Sequence, residues 1–160
     1  MIKRFVILLI VMGYAGAAFS QNFQSLSFND LNQLIKNHHG RTRVVNFWAT
    51  WCKPCIDEMP TFIDAQRSAN YKDIDFIFVS VDFQSQSEKV KDKISDLKMT
   101  GTIVQLNEKG TDWIDEMDKD WSGAIPYTIM ILPDGKKVSH YDWFENYAAL
   151  KAFLDKNISN

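Results

Sequence analysis

The sequence predicts an α/β domain with a mixed central sheet flanked by helices on both faces. Two runs, residues 44–48 and 74–81, are nearly continuously apolar, as strands covered on both sides in a parallel sheet are. Between and beyond them, apolar residues recur at helical spacing, so strands and helices alternate along the chain. Pro133-Asp134-Gly135-Lys136 then separates two further strand patterns and brings the second back antiparallel. With 160 residues, 46% of them hydrophobic, the chain supports one packed core, and no repeat, low-complexity stretch or linker divides it.

Residues 1–20 are expected to be separate from the domain. Lys3 and Arg4 make a basic start, residues 5–12 are apolar, and Ala18 and Ser20 are small residues at the two positions read for cleavage. This is the pattern of a secretory signal peptide cut before Gln21. The apolar stretch of residues 5–19 is shorter than the ~20 residues a membrane span requires, which argues against a retained anchor. The domain is then residues 21–160.

Within it, residues 21–27 read as a short edge strand. Asn29 is expected to cap a helix that buries Leu31, Leu34 and Ile35 and ends near His38, His39 and Gly40, where Gly40 suits a left-handed closing position. Residues 44–48 form the central strand. The helix after it is expected to run to about residue 70, with Met59, Phe62 and Ile63 inward and Pro60 bending it. After the strand at 74–81, Ser85 and Glu88 are spaced as a capping box for a helix with Val90, Ile94 and Leu97 on one face. A strand at 102–106 and a helix at 111–120, burying Trp113, Ile114 and Met117, come next. Strands at 127–132 and 137–143 and a helix at 146–158, with Leu150, Phe153 and Leu154 inward, complete the domain.

The formal net charge is −2, and removal of Lys3 and Arg4 leaves 16 basic against 20 acidic side chains, a net −4. That balance gives no reason to expect a nucleic acid or an anionic membrane surface as partner. The only cysteines are Cys52 and Cys55. In an exported chain, one such pair is not a disulfide scaffold; the thiols are there to react.

Both cysteines fall where the central strand hands over to a helix, beside unshared first-turn N–H groups and the positive end of the helix dipole. The thiolate is the attacking species, and a Cys-x-x-Cys at a helix start lowers a thiol pKa from ~8.5 to between ~3.5 and ~7.5. Lys53 acts in the same direction. Cys52 is therefore expected to be the exposed attacking sulfur, and Cys55, one turn on and facing inward, the one that resolves the mixed disulfide. A purely structural staple across so short a loop removes only about 2 kcal/mol of unfolded-chain entropy.

The stretch Trp48-Ala49-Thr50-Trp51-Cys52-Lys53-Pro54-Cys55, followed by Glu58-Met59-Pro60, resembles the thioredoxin fold and, within it, the exported TlpA/ResA-type thiol:disulfide oxidoreductases. Gly123-Ala124-Ile125-Pro126-Tyr127-Thr128 resembles a second signature of that fold, and residues 85–120 resemble its inserted strand-helix segment in the exported branch. The resemblance implies that Pro126 is cis and lies against the sulfurs, that Ile125 pairs its backbone with bound substrate, and that Trp51 forms part of the flat surface around Cys52. Lys53 and Pro54 shape the site without fixing the direction of electron flow. Two positions depart from the pattern. Asn46 stands where thioredoxins carry a buried Asp, and Lys53 where many TlpA/ResA-type proteins have Glu; neither accepts a proton at neutral pH. Glu58, three residues after Cys55, is expected to face solvent, which leaves water to take the Cys55 proton.

His38, His39 and His140 could suggest a metal, but the two adjacent histidines at a helix end read as surface groups, and two thiolates are an incomplete set for a closed tetrahedral site. The expectation is thus an exported, periplasmic thiol:disulfide oxidoreductase that reduces protein disulfides. It would need no cofactor beyond the Cys52–Cys55 pair, be recharged by a membrane thiol reductase, act as a monomer and bind no nucleic acid. Cytochrome c maturation is one job the resemblance implies. A dithiol oxidant or isomerase of the same fold, and a metal-binding module built on the cysteine pair, are the alternatives.

Overall fold

Residues 22–37 and 39–158 are described in the computed structural model; the expected signal peptide and His38 lie outside the described residues. The elements are β1 (Asn22–Leu26), α1 (Phe28–Lys36), β2 (Thr42–Trp48), α2 (Lys53–Arg67), β3 (Ile74–Ser80), α3 (Ser87–Asp96), β4 (Thr102–Leu106), α4 (Asp112–Met117), β5 (Tyr127–Ile131), β6 (Lys137–His140) and α5 (Tyr147–Ile158). The strands form one sheet in the order β1-β4-β3-β2-β5-β6. Pairs β1–β4, β4–β3 and β3–β2 are parallel, while β5 is antiparallel to β2 and to β6, so the sheet is mixed.

The two-residue alternation along the strands divides the core into two layers. Val44 and Trp48 of β2, Phe76 and Phe78 of β3 and Met130 of β5 pack with Met59 and Phe62 of α2, Val90 and Ile94 of α3, and Leu150 and Leu154 of α5. Val45 and Phe47, Ile77 and Val79, Val104, and Ile129 point the other way, onto Phe28, Leu31 and Ile35 of α1 and Met117 of α4. Every residue of β2 is buried, Thr42, Arg43 and Asn46 included, which is why its apolar residues Val44, Val45, Phe47 and Trp48 fall on both faces and do not alternate with polar ones.

Several boundaries differ from the sequence reading. Ser27, not Asn29, caps α1: its hydroxyl accepts the Asp30 N–H, and the helix ends at Lys36, with His39 and Gly40 both at positive φ beyond it. A run of 3₁₀ at Gln84–Gln86 occupies the expected capping box, so α3 starts at Ser87 without a side-chain cap. Glu88 instead pairs with Lys91 in the first turn. The helix α2 stops at Arg67, short of residue 70, and is followed by a separate 3₁₀ turn at Ala69–Tyr71. The helix α4 is shorter than residues 111–120, and of its expected buried set only Met117 is fully covered, Trp113 and Ile114 being half-buried. Strand β6 ends at His140 and leaves residues 141–143 as a loop.

Candidate active site

The helix α2 begins shortly after β2 ends, and Cys52 is its N-cap. The Cys52 backbone is extended, with φ −86° and ψ 99°, so that its carbonyl accepts the Ile56 N–H at 3.1 Å while its sulfur accepts the Cys55 N–H at 3.3 Å. Pro54 takes the second helical position, where a missing N–H costs nothing. Cys52 and Cys55 are joined in a disulfide with Cα atoms 5.3 Å apart. The expected order of exposure holds, but its extent does not: Cys55 is 0% and Cys52 only 5% exposed, so the outer sulfur is recessed. The N–H of Cys55 that points at the Cys52 sulfur is a donor placed to stabilise a thiolate once the pair is reduced.

The peptide bond Ile125–Pro126 is cis, and the Ile125 carbonyl oxygen lies 3.8 Å from the Cys52 sulfur. The loop from α4 to β5 thus delivers the Ile125 carbonyl to the disulfide. Two anchors hold that loop. The Trp121 indole N–H donates to the Ala124 carbonyl at 2.7 Å. Asp118 accepts from the hydroxyls of Tyr127, Ser139 and Tyr141 at 2.8, 2.6 and 2.9 Å. Burial pushes the Asp118 carboxyl up, but the Ser139, Tyr127 and Tyr141 hydroxyls and the Asp120 N–H outweigh it and bring its pKa down to about 2.

A second anchor set lies on the other side. The Asp82 carboxylate, buried at the end of β3, accepts the Thr50 N–H at 2.9 Å, the Thr50 hydroxyl at 2.6 Å and the Ser80 hydroxyl at 2.8 Å. It thereby fixes the turn that carries Trp51 and Cys52. Trp51 is 70% exposed, while Trp48 is wholly inside. Lys53 is also at the surface, 83% exposed, and its ammonium is paired with Asp57 at 2.5 Å, so its charge is shared with a carboxylate and with solvent. The expected pull of Lys53 on Cys52 is correspondingly weakened.

Glu58 overturns the expectation of a solvent-facing side chain. It is 1% exposed, with one carboxyl oxygen accepting the Asn46 side-chain amide at 2.9 Å and the other the Phe144 N–H at 2.8 Å. The Asn46 amide also donates to the Thr128 hydroxyl at 3.1 Å, which joins α2, β2 and β5 in one buried polar group. Burial pushes the Glu58 carboxyl up to about 7; the Phe144 N–H and the Asn46 amide oppose this, and the negative charge of Asp142 adds to it. A helix starting at Lys53 places residues 55, 58, 59 and 62 on one face, and that spacing is the sequence signal for a buried Glu58. A titratable carboxyl therefore shares the inner face of α2 with Cys55, opposite the strand position where Asn46 cannot titrate.

His140 packs its ring on Phe144 at 4.1 Å, and burial lowers its pKa, while His39 is exposed. Among the described residues, no group of three His, Cys, Asp or Glu is placed to hold a metal ion.

With this geometry in place, comparison with known proteins is decisive. Residues 17–141 match the AhpC/TSA family. The chain belongs to that family. Over 169 aligned positions, covering 96% of this chain and 94% of the relative, it is 28% identical to a thiol-disulfide oxidoreductase ResA of Bacillus cereus. A thiol:disulfide interchange protein of the thioredoxin family from Chlorobium tepidum has a similar structure, with a TM-score of 0.63 at 19% identity, covering 78% of this chain and 84% of that one. A thioredoxin-related protein from Neisseria meningitidis serogroup B gives a TM-score of 0.62 at 20% identity, over 75% and 87% of the two chains. The six-stranded mixed sheet with its five helices is thus a thioredoxin fold within the AhpC/TSA family. By family, the chain is an enzyme of the thioredoxin-like thiol:disulfide oxidoreductase class.

Proposed function

We propose that this AhpC/TSA-family protein is an exported reductant of protein disulfides. The observation that carries the reading is the placement of the Cys52 sulfur at the N-cap of α2, against the Cys55 N–H and beside the Ile125 carbonyl. In the reduced form, the Cys52 thiolate attacks one sulfur of a client disulfide and expels the other as a client thiolate. Cys55 then gives its proton to the Glu58 carboxylate and attacks Cys52, which forms the Cys52–Cys55 disulfide and expels the second client sulfur as a thiolate, to be protonated by solvent. Two electrons pass to the client. The protein is left oxidised, and a membrane thiol reductase restores the dithiol.

Glu58 suits the proton-acceptor role because its carboxyl, at a pKa of about 7, is part ionised at neutral pH and lies one helical turn from Cys55. Trp51 and Pro54 shape the approach to Cys52, and Ile125 and Pro126 present backbone to the client segment. The cysteine pair is the only redox group we assign. Export rests on the signal-peptide pattern of residues 1–20, with residues 21–160 as the exported domain in the periplasm of a bacterium. Among the described residues, no helix is long and apolar enough to cross a membrane. Maturation of c-type cytochromes is one task that fits such a reductant, and a monomer suffices for the chemistry.

The test is a trap. Cys55→Ser expressed in cells with its leader should remain covalently joined through Cys52 to its client, and the adduct should vanish in a Cys52→Ser, Cys55→Ser double variant. A reduction potential measured against glutathione fixes the direction. A potential well above that of glutathione would make the protein an oxidant and overturn the reductant reading.

A further inference from the structure

The bonds that hold Glu58 suit only one of its two protonation states. Its carboxyl oxygens meet donors alone: the Asn46 amide at 2.9 Å on Oε1 and the Phe144 N–H at 2.8 Å on Oε2. That is the environment of a carboxylate, since an ionised carboxyl only accepts. Once Glu58 holds a proton it must donate as well, and a buried O–H left without an acceptor is costly. The Phe144 N–H is main chain and can only donate. Asn46 is the partner that can change, because its side-chain amide carries a donor at one end and an acceptor at the other.

The surroundings of Asn46 allow that change in one movement. The residue is wholly buried, and its Nδ2 serves two acceptors, Glu58 Oε1 at 2.9 Å and the Thr128 hydroxyl at 3.1 Å. Its Oδ1 is buried with no donor among the described residues. A half-turn about the last side-chain bond exchanges the two ends and leaves the backbone of β2 in place. Oδ1 then faces Glu58 and Thr128 together, and both can donate to it, the protonated carboxyl through its O–H and Thr128 through its hydroxyl. An ionised aspartate at this position would have no donor end, and an apolar residue would serve neither state.

We propose that Asn46 is a positioning residue whose side-chain amide turns over as Glu58 gains and loses a proton, donating to the carboxylate and accepting from the carboxylic acid. This rests on Glu58 as the acceptor of the Cys55 proton and names what holds that acceptor in both of its states. In the reaction, the Cys55 proton passes to Glu58, the amide turns, and the Cys55 thiolate attacks Cys52. The amide turns back when Glu58 gives the proton up to solvent. The other titratable or charged groups on this side of the sheet are Cys55 on α2, His140 on β6 opposite Thr128, Asp142 in the loop after β6, and Tyr147 at the start of α5. From β2 and β5, Asn46 and Thr128 face Glu58, and neither titrates.

The test is NMR of the oxidised protein, in which the disulfide keeps both cysteines from titrating. The Glu58 carboxyl carbon reports its own proton, and nuclear Overhauser contacts from the Asn46 side-chain N–H protons to Thr128 report the amide. Those contacts should be strong at pH 9 and lost at pH 5, with the same midpoint, near 7, as the Glu58 carbon. Glu58→Gln should hold them constant across that range. Contacts that persist at pH 5 while the Glu58 carbon titrates, or a loss that survives Glu58→Gln and so belongs to His140, would overturn the proposal and leave the Cys55 proton transfer standing. A Glu58 carbon that does not titrate between those limits would bring down both. Kinetics give a second measurement. Because Asn46 serves both states, Asn46→Leu should move the inflection of mixed-disulfide resolution by no more than about one on the pH scale. A shift of about two, the full worth of a buried hydrogen bond to a charged group, would assign Asn46 to the carboxylate alone and also overturn the proposal.

Discussion

The Glu58 carboxyl on α2 and the Asn46 side-chain amide on β2 meet at 2.9 Å across the helix–sheet interface, both buried. The strand supplies a group that cannot titrate and the helix one that can, and Asn46 holds the helix group in place. This division of labour makes the pH behaviour of the enzyme specific enough to test.

If Glu58 takes the Cys55 proton, resolution of the mixed disulfide requires its ionised form. The resolution rate should rise with pH through an inflection near 7, where burial has brought the Glu58 carboxyl. Glu58→Gln should remove that inflection and slow resolution on the order of 10²-fold. The lifetime of a Cys52-linked peptide adduct as a function of pH, followed in both proteins, is the measurement. Asn46→Leu, which deletes a hydrogen bond to the ionised form, should move the inflection up by about one on the pH scale.

Stability should carry the same signature. The folded-state pKa of Glu58 is raised, from an ordinary 4.5 to about 7, so folding takes up a proton between those values. Its contribution is fully present below pH 4.5 and is lost as pH rises through about 7, by up to about 3 kcal/mol. Denaturant midpoints of the oxidised protein at pH 5 and pH 8 should therefore differ more in the wild type than in Glu58→Gln. A Gln variant with the same drop as wild type would remove Glu58 from the account.

Lys53→Glu should raise the apparent pKa of Cys52, read from alkylation rate against pH, but by less than about half on the pH scale, because Lys53 is solvated and already paired with Asp57. The effect should fade in about 0.5 M salt, where exposed charges are screened within a few ångströms.

Asp82→Ala leaves the Thr50 N–H and the Thr50 and Ser80 hydroxyls without their acceptor in a buried setting. A loss of about 3 kcal/mol in denaturant unfolding is expected, with slower disulfide exchange as the Trp51–Cys52 turn loosens. An unchanged exchange rate would confine Asp82 to a stabilising role.

Much of this is legible in the sequence because burial and chemistry leave local marks. The apolar runs of β2 and β3 reveal the parallel centre of the sheet, and Cys52 and Cys55 mark the strand–helix junction. What the sequence hides depends on tertiary partners. Charged residues usually face solvent, so Glu58 reads as exposed; its hydrogen-bond donors, Asn46 and the Phe144 N–H, lie 12 and 86 residues away. Ser85 and Glu88 have the spacing of a capping box, yet the Gln84 side chain is engaged by Ser25 and by the Leu106 carbonyl, and the chain winds as 3₁₀ there instead. Asp82 carries no sequence signal at all, since nothing local to an Asp at a strand end foretells that it will bind the turn before Cys52.

The direction of β1 has a consequence for how the protein meets a surface. Because β1 runs parallel to β4, β3 and β2, the polypeptide enters the sheet from the pole opposite the sulfurs. Any tether joined ahead of Asn22 would hold the molecule by its back, with the reactive end pointing outward to sweep the surrounding space for clients.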